Sequence, residues 1–233
     1  MGILSNNNNE TREMATNFYF PTSKNALIIF TRNPELGKCK TRLAKSIGDE
    51  SALYIYKSLL QHTAHVSKEI PVDRFVFYSN SIQKNDIWDA TVFRKKLQQG
   101  DDLGSKMENA FLELFQMGYE KIIIIGSDLL DLKKETINNA FDALKKHKVV
   151  IGPAEDGGYY LLGLSNMYHF IFNNKSWSEP KLLEETLTDL EENNILFTTL
   201  ETLNDIDTYE DLIASKAYQS NLDLQHHIKK LHD

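Results

Sequence analysis

Four consecutive isoleucines, Ile122 to Ile125, stand between Lys121 and Gly126. Branched side chains favour extended backbone, and a run without polar alternation predicts a strand buried on both faces. Such a strand needs packing layers above and below it. Asn25 to Phe30 supplies a second run of the same kind, and Phe75 to Tyr78, Val149 to Ile151, Tyr159 to Leu164 and Ile195 to Thr199 read as further strands, with Thr91-Val92-Phe93 a weaker one. Between them lies helix-forming sequence: Thr41 to about His65, interrupted near Gly48 and Asp49; Met107 to Met117, with Met107, Ala110, Phe111 and Leu114 on one side; Glu135 to Lys146; Pro180 to Leu190; and a short helix from about Thr208. Strands alternating with helices of this length predict a three-layer α/β/α, Rossmann-like fold around a mostly parallel sheet.

The alternation has no internal repeat and no linker long enough to divide it. We therefore expect a flexible leader over 1–23, one domain over 24–216, and a tail or helix over 217–233. The tail carries Leu222, Leu224, Ile228 and Leu231 at amphipathic spacing, and its His226, His227 and His232 read as exposed histidines. A net charge of −7 argues against general affinity for nucleic acid or anionic membrane. No apolar run approaches the roughly 18 residues needed to span a bilayer, so no stable membrane insertion is expected. With no long apolar stretch at the N-terminus, a cytoplasmic location is expected. Cys39 is the single cysteine, which excludes an intrachain disulfide and a multi-cysteine zinc site.

In an open α/β sheet, ligands bind beyond the carboxyl ends of the strands, where loops and helix N-termini converge. Three strand-end loops and one later segment carry unusual side chains. From Arg32 to Lys45 there are five basic residues against one acidic in an otherwise acidic chain. A loop opening into a helix combines such side chains with free backbone N–H groups, which suits phosphate oxygens. The spacing is not that of a P-loop. A solvated charge run is the competing explanation.

Gly126-Ser127-Asp128 ends the strongest strand, and Asp128 is the candidate ligand for Mg²⁺ or Mn²⁺. Asp131 suits a cap for the next helix. In Gly152 to Tyr160, Asp156-Gly157 is a turn signal in its own right, but Glu155 beside it in a strand-end loop points to function. Asn204 to Leu212 places carboxylates before a helix, where capping and metal binding compete for the same residues.

The loop Pro34-x-x-Gly37-Lys38-x-Lys40-Thr41-Arg42-Leu43, the strand end Gly126-Ser127-Asp128, the segment Gly152-Pro153-Ala154-Glu155-Asp156-Gly157-Gly158-Tyr159-Tyr160 and the late Asp205-Ile206-Asp207-Thr208-x-x-Asp211-Leu212 together resemble an uncharacterised bacterial branch of the glycosyltransferase A, or nucleotide-diphospho-sugar transferase, superfamily. The resemblance spans about residues 25 to 215. Gln99 to Met107, with Gly104, is similar to a glycine-rich segment of that branch. One departure is Leu129-Leu130, where the branch often has Cys-Pro.

The resemblance implies a glycosyltransferase A fold that binds a nucleotide with a divalent metal, Mg²⁺ or Mn²⁺. Lys38 and Arg42 would hold the phosphates, with Arg32, Gly37 and Gly104 beside the nucleotide. Asp128 would bind metal with Asp205 or Asp207, and Glu155 and Asp156 would line the acceptor side. Asp156, Glu155 and Lys38 are the candidate catalytic residues. The first expectation is a metal-dependent glycosyltransferase passing a sugar from a nucleotide sugar to a small-molecule acceptor. The alternative is a nucleotidyltransferase joining a nucleoside triphosphate to a phosphorylated small molecule, since the basic loop is similar to those of phospholactate guanylyltransferases. A non-catalytic nucleotide-binding protein is a third.

Overall fold

The computed structural model describes residues 21–232. Most of the expected leader therefore lies outside the described residues. Seven strands, β1 (Asn25–Thr31), β2 (Asp73–Tyr78), β3 (Phe93–Leu97), β4 (Lys121–Ile125), β5 (Val149–Pro153), β6 (Tyr159–Leu164) and β7 (Phe197–Thr199), form one sheet in the order β3-β2-β1-β4-β6-β5-β7. β6 runs antiparallel to both its neighbours, and every other pairing is parallel. The loops that follow β1, β2, β3, β4, β5 and β7 consequently leave the same edge of the sheet.

The isoleucine run shows why the sheet is covered on both sides. Ile123 and Ile125 pack with Leu43, Ile55 and Leu59 of α1 (Thr41–Lys68) and with Ile137 and Phe141 of α3 (Lys134–Ala143). Ile122 and Ile124 face the other way, onto Met107, Phe111 and Leu114 of α2 (Leu103–Gln116) and Leu190 of α4 (Leu182–Glu192). Period-two geometry thus splits one apolar run between two cores. The result is the three-layer α/β/α architecture expected from the sequence.

Gly48, at φ 78° and ψ 158°, breaks the helical path of α1 at the position where an interruption is expected. The third strand differs from expectation. It runs over Phe93–Leu97 rather than Thr91-Val92-Phe93. Its Arg94, Lys95 and Lys96 satisfy their charges against Asp73, Asp86 and Glu113, and charged residues are common on an edge strand because they discourage edge-to-edge pairing.

Asp131 also differs from expectation. No side chain caps α3, and Asp131 Oδ1 instead accepts the Ala217 N–H at 3.0 Å in α6 (Lys216–Gln219), which follows α5 (Tyr209–Ala214). The C-terminal helix α7 (Leu222–His232) lays Leu224 and Ile228 into the α1 side of the core, while Leu222 stays exposed. Among the described residues, no helix is long and apolar enough to cross a membrane.

Candidate functional site

Lys40 is the residue around which the carboxyl edge is organised. It occupies the N-cap of α1 in left-handed conformation, φ 49° and ψ 47°, which disfavours a side chain bearing a Cβ and persists where surroundings enforce it. The preceding loop is held from both sides. Tyr56 Oη accepts the Arg32 N–H and donates to the Arg32 carbonyl, each at 3.0 Å. Buried Asn33 donates to the Ser81 carbonyl at 2.8 Å and accepts the Asn80 and Ser81 N–H groups. The start of the loop is fixed in this way, and at its far end the Lys40 side chain is directed inward and is only 7% exposed.

Its ammonium lies 3.1 Å from Asp128 Oδ2 and 3.5 Å from Asp207 Oδ1. Arg42 Nη1 reaches Asp207 Oδ2 at 3.1 Å from the solvent side. A backbone bond fixes the two acidic segments together, since the Asp128 carbonyl accepts the Ile206 N–H at 3.0 Å and so sets Asp205 and Asp207 beside the end of β4. Within the late segment the capping role falls to Thr208 and Asp211, which form a capping box on α5, leaving Asp205 and Asp207 to face the cluster.

The electrostatics of the cluster follow from crowding. Burial, and then the neighbouring Asp128 charge, push the Asp205 carboxyl up to about 6, against the opposing pull of Lys40, and Asp156 adds to the rise. Burial alone would lower the Lys40 ammonium, but Asp128 and Asp207 outweigh it and hold the group above the ordinary lysine value. Among the described residues no side chain caps the start of α1, and its first turn holds no acidic residue. The positive end of the helix dipole therefore adds to Lys40 and Arg42.

The loop after β5 reaches the same edge. Ala154 bridges Leu203, and the Glu155 N–H donates to the Leu203 carbonyl at 3.1 Å, which joins this loop to the chain leading into Asp205. Asp156 Oδ1 accepts the Gly158 N–H at 2.9 Å, so the turn signal read in the sequence is present. Gly157, at φ 88°, has room for no side chain: a Cβ there would sit 2.1 Å from the Pro180 carbonyl oxygen. Glu155 is exposed.

The other candidates are placed differently. Lys38 is 72% exposed and pairs with Glu35 Oε2 at 2.6 Å, beside exposed Gly37, and the side chain of Arg32 is exposed as well. Gly104 packs beneath the Trp177 indole, where a Cβ would approach Nε1 to 2.3 Å, in the first turn of a helix capped by Asp102 and Ser105. Lys40 is the cluster member that the sequence did not single out. Its only signal there is its place in the Gly-Lys-x-Lys-Thr-Arg loop.

Asp128 and Asp207 are oxygen donors facing one shared position, a set that fits Mg²⁺ or Mn²⁺ completed by substrate phosphates. Among the described residues no group of three or more His, Cys, Asp or Glu side chains that could hold a metal ion is found.

A family model matches residues 62–179, half of the chain. The chain belongs to the DUF2064 family, described as an uncharacterized protein conserved in bacteria. The matched span includes Asp128 and Asp156 and excludes Lys40, Asp205 and Asp207. A search of curated proteins gives no match.

Among solved structures, the chain is similar to a protein of Desulfovibrio desulfuricans G20 provisionally described as a nucleotide-diphospho-sugar transferase, with 25% identity, a TM-score of 0.78, and coverage of 90% of this chain and 97% of that one. It is similar in fold to a CMP:2-keto-3-deoxy-manno-octonic acid synthetase complexed with CTP, at 11% identity and TM-score 0.53, covering 82% and 96% of the two chains. The Mycobacterium tuberculosis H37Rv protein Rv0371c, in complex with manganese, matches at 10% identity and TM-score 0.51, covering 84% and 98%. The fold is that of the glycosyltransferase A superfamily.

Proposed function

We propose that the protein is a nucleotide-dependent transferase, and that nucleotidyl transfer from a nucleoside triphosphate to a phosphorylated small molecule describes it better than sugar transfer. One observation carries the reading: the Lys40 ammonium sits between Asp128 and Asp207, beside Arg42, where α1 begins. Cations and free helix N–H groups are concentrated where a triphosphate needs neutralising, and carboxylates stand where its metal would be held. The likeness in fold to a synthetase holding CTP supports this reading, and the manganese complex of a second relative supports a divalent ion.

In this proposal Asp128 and Asp207 would hold Mg²⁺ or Mn²⁺, which would supply charge neutralisation to the phosphates. Lys40, Arg42 and the first N–H groups of α1 take non-bridging phosphate oxygens, with Arg32, Gly37 and Lys38 at the loop mouth. The acceptor oxygen attacks the α-phosphorus, the bond to the β-phosphate oxygen breaks, and pyrophosphate leaves. In nucleotidyl transfer the acceptor phosphate is already ionised near neutral pH and needs no base, whereas in sugar transfer to a hydroxyl Asp156 Oδ2 would take the acceptor proton while Oδ1 keeps its bond to the Gly158 N–H. Glu155 and Gly104 border the acceptor and nucleotide sides, and residues 24–216 carry the activity in the cytoplasm. Sugar transfer is the second reading, favoured by the description of the Desulfovibrio relative.

The test is a thermal-shift panel of nucleoside triphosphates and nucleotide sugars with Mg²⁺ or Mn²⁺. A ligand selective for the native state raises Tm, by about 2.7 kcal/mol of stabilisation at a hundredfold excess over Kd. Triphosphates are expected to stabilise more than nucleotide sugars. Stabilisation by nucleotide sugars alone would favour the second reading, and no shift with any nucleotide would contradict both.

A further inference from the structure

We propose that Lys40 is a resident counter-cation that keeps a divalent ion out of the position between Asp128 and Asp207 until nucleotide phosphates draw its ammonium away. Metal and nucleotide then enter together, and metal does not enter first. This rests on the reading of Asp128 and Asp207 as metal ligands, and it adds an order of binding that the reading does not require.

The geometry supplies the argument. Mg²⁺ binds oxygen at about 2.0–2.1 Å. An ammonium 3.1 Å from Asp128 Oδ2 and 3.5 Å from Asp207 Oδ1 already uses the oxygens that a metal would need. The two cations cannot share the position, because like charges a few ångströms apart repel strongly where solvent is scarce. Nor does Lys40 have an easy exit. Its side chain is 7% exposed, so leaving the carboxylates without a new anionic partner would strand a buried charge.

A phosphate at the start of α1 is such a partner, since Lys40 is itself the N-cap residue and its flexible stem swings about that point. Arg42 approaches Asp207 from solvent and is 73% exposed, so it gives way at little cost. A purely structural ion pair is the rival account. It predicts that removing Lys40 costs stability and does nothing for metal affinity.

The experiment measures Mn²⁺ binding to the nucleotide-free full chain by the electron paramagnetic resonance signal of the free ion. Lys40→Met is expected to bind Mn²⁺ at least about tenfold more tightly than wild type. Lys45→Met removes the same charge from an exposed neighbour in α1 and is expected to change affinity less than about twofold, since an exposed charge is screened. Adding Asp128→Asn to Lys40→Met should return the affinity to the wild-type level. If Lys40→Met folds poorly, Lys40→Asn serves, because asparagine tolerates the left-handed backbone better.

No gain in the Lys40 variant, whether both proteins bind Mn²⁺ equally or neither binds it, overturns the proposal, and so does an equal gain in Lys45→Met. These titrations contain no nucleotide. They therefore stand whatever the thermal-shift panel shows, and a failed panel with a tight Lys40→Met would reject the transferase reading and release by nucleotide, while keeping Lys40 as the counter-cation of the metal position.

Discussion

Asp73 and Asp205 stand at opposite edges of the same sheet, and their surroundings treat negative charge in opposite ways. Asp73 opens β2 at the amino edge and is 7% exposed. Burial would raise its carboxyl, but the Thr22 hydroxyl and N–H, the Tyr119 hydroxyl at 2.6 Å and Arg94 at 3.4 Å together hold it below the ordinary aspartate value. Asp205, at the carboxyl edge, is pushed up to about 6 by burial and by Asp128, with Lys40 only partly compensating. A carboxylate given donors on every side is part of the scaffold. One crowded against other carboxylates stores unfavourable charge that a cationic or metal-bearing ligand can relieve.

The largest expected effect lies at the amino edge. Asp73→Ala removes the acceptor for three donors and leaves Arg94 half-buried without this partner, which should cost about 3 kcal/mol in chemical denaturation. Because the Asp73 pKa is lowered on folding, its contribution is present above the unfolded value and fades as pH falls through the folded one. A loss below about 1 kcal/mol would show that this cluster is not what holds that edge together.

An intermediate effect of opposite sign is expected at Asp205. A raised folded pKa means that wild type is unpenalised below the ordinary value of 3.8 and loses stability as pH rises toward about 6. Asp205→Asn should therefore match wild type near pH 4 and exceed it at pH 7 in metal-free buffer, by about 1–2 kcal/mol once solvent screening is allowed for. An Asn variant less stable than wild type at pH 7 would erase the contrast with Asp73.

The smallest change in stability belongs to Arg42. Its ion pair is solvent-exposed, so Arg42→Ala should alter unfolding free energy by less than about 0.5 kcal/mol while weakening triphosphate binding roughly tenfold in a calorimetric titration. Unchanged affinity would remove Arg42 from the phosphate side and leave it as a surface partner of Asp207.

The sequence was most legible where one physical force dominated. β1 and β4 are buried on both faces, and their uninterrupted apolar runs announce it. β3 begins later than its apolar pattern suggests because an edge strand reading Phe-Arg-Lys-Lys-Leu satisfies its charges through distant partners that no local pattern reveals. Gly48 was readable as a break because only its backbone matters there.

The basic loop shows the opposite limit. Lys38, Lys40 and Arg42 are chemically alike, and composition does not tell which side chain turns inward. That is decided by the left-handed turn at Lys40 and by two pins on the start of the loop, from Tyr56 of α1 onto Arg32 and from Asn33 across to Asn80 and Ser81. The acids were easier to foresee, since Asp128 ends a strong strand. The choice between capping and facing the cluster within Asp205 to Asp211 needed the actual capping box.

The most direct test is a crystal structure of the full chain with a nucleoside triphosphate and Mn²⁺, with the metal located by its anomalous scattering. The account predicts an anomalous peak at about 2.0–2.2 Å from oxygens of both Asp128 and Asp207, with the Lys40 ammonium transferred to the phosphates at the start of α1. A triphosphate bound elsewhere, or a metal found away from these carboxylates with Lys40 still seated between them, would contradict it.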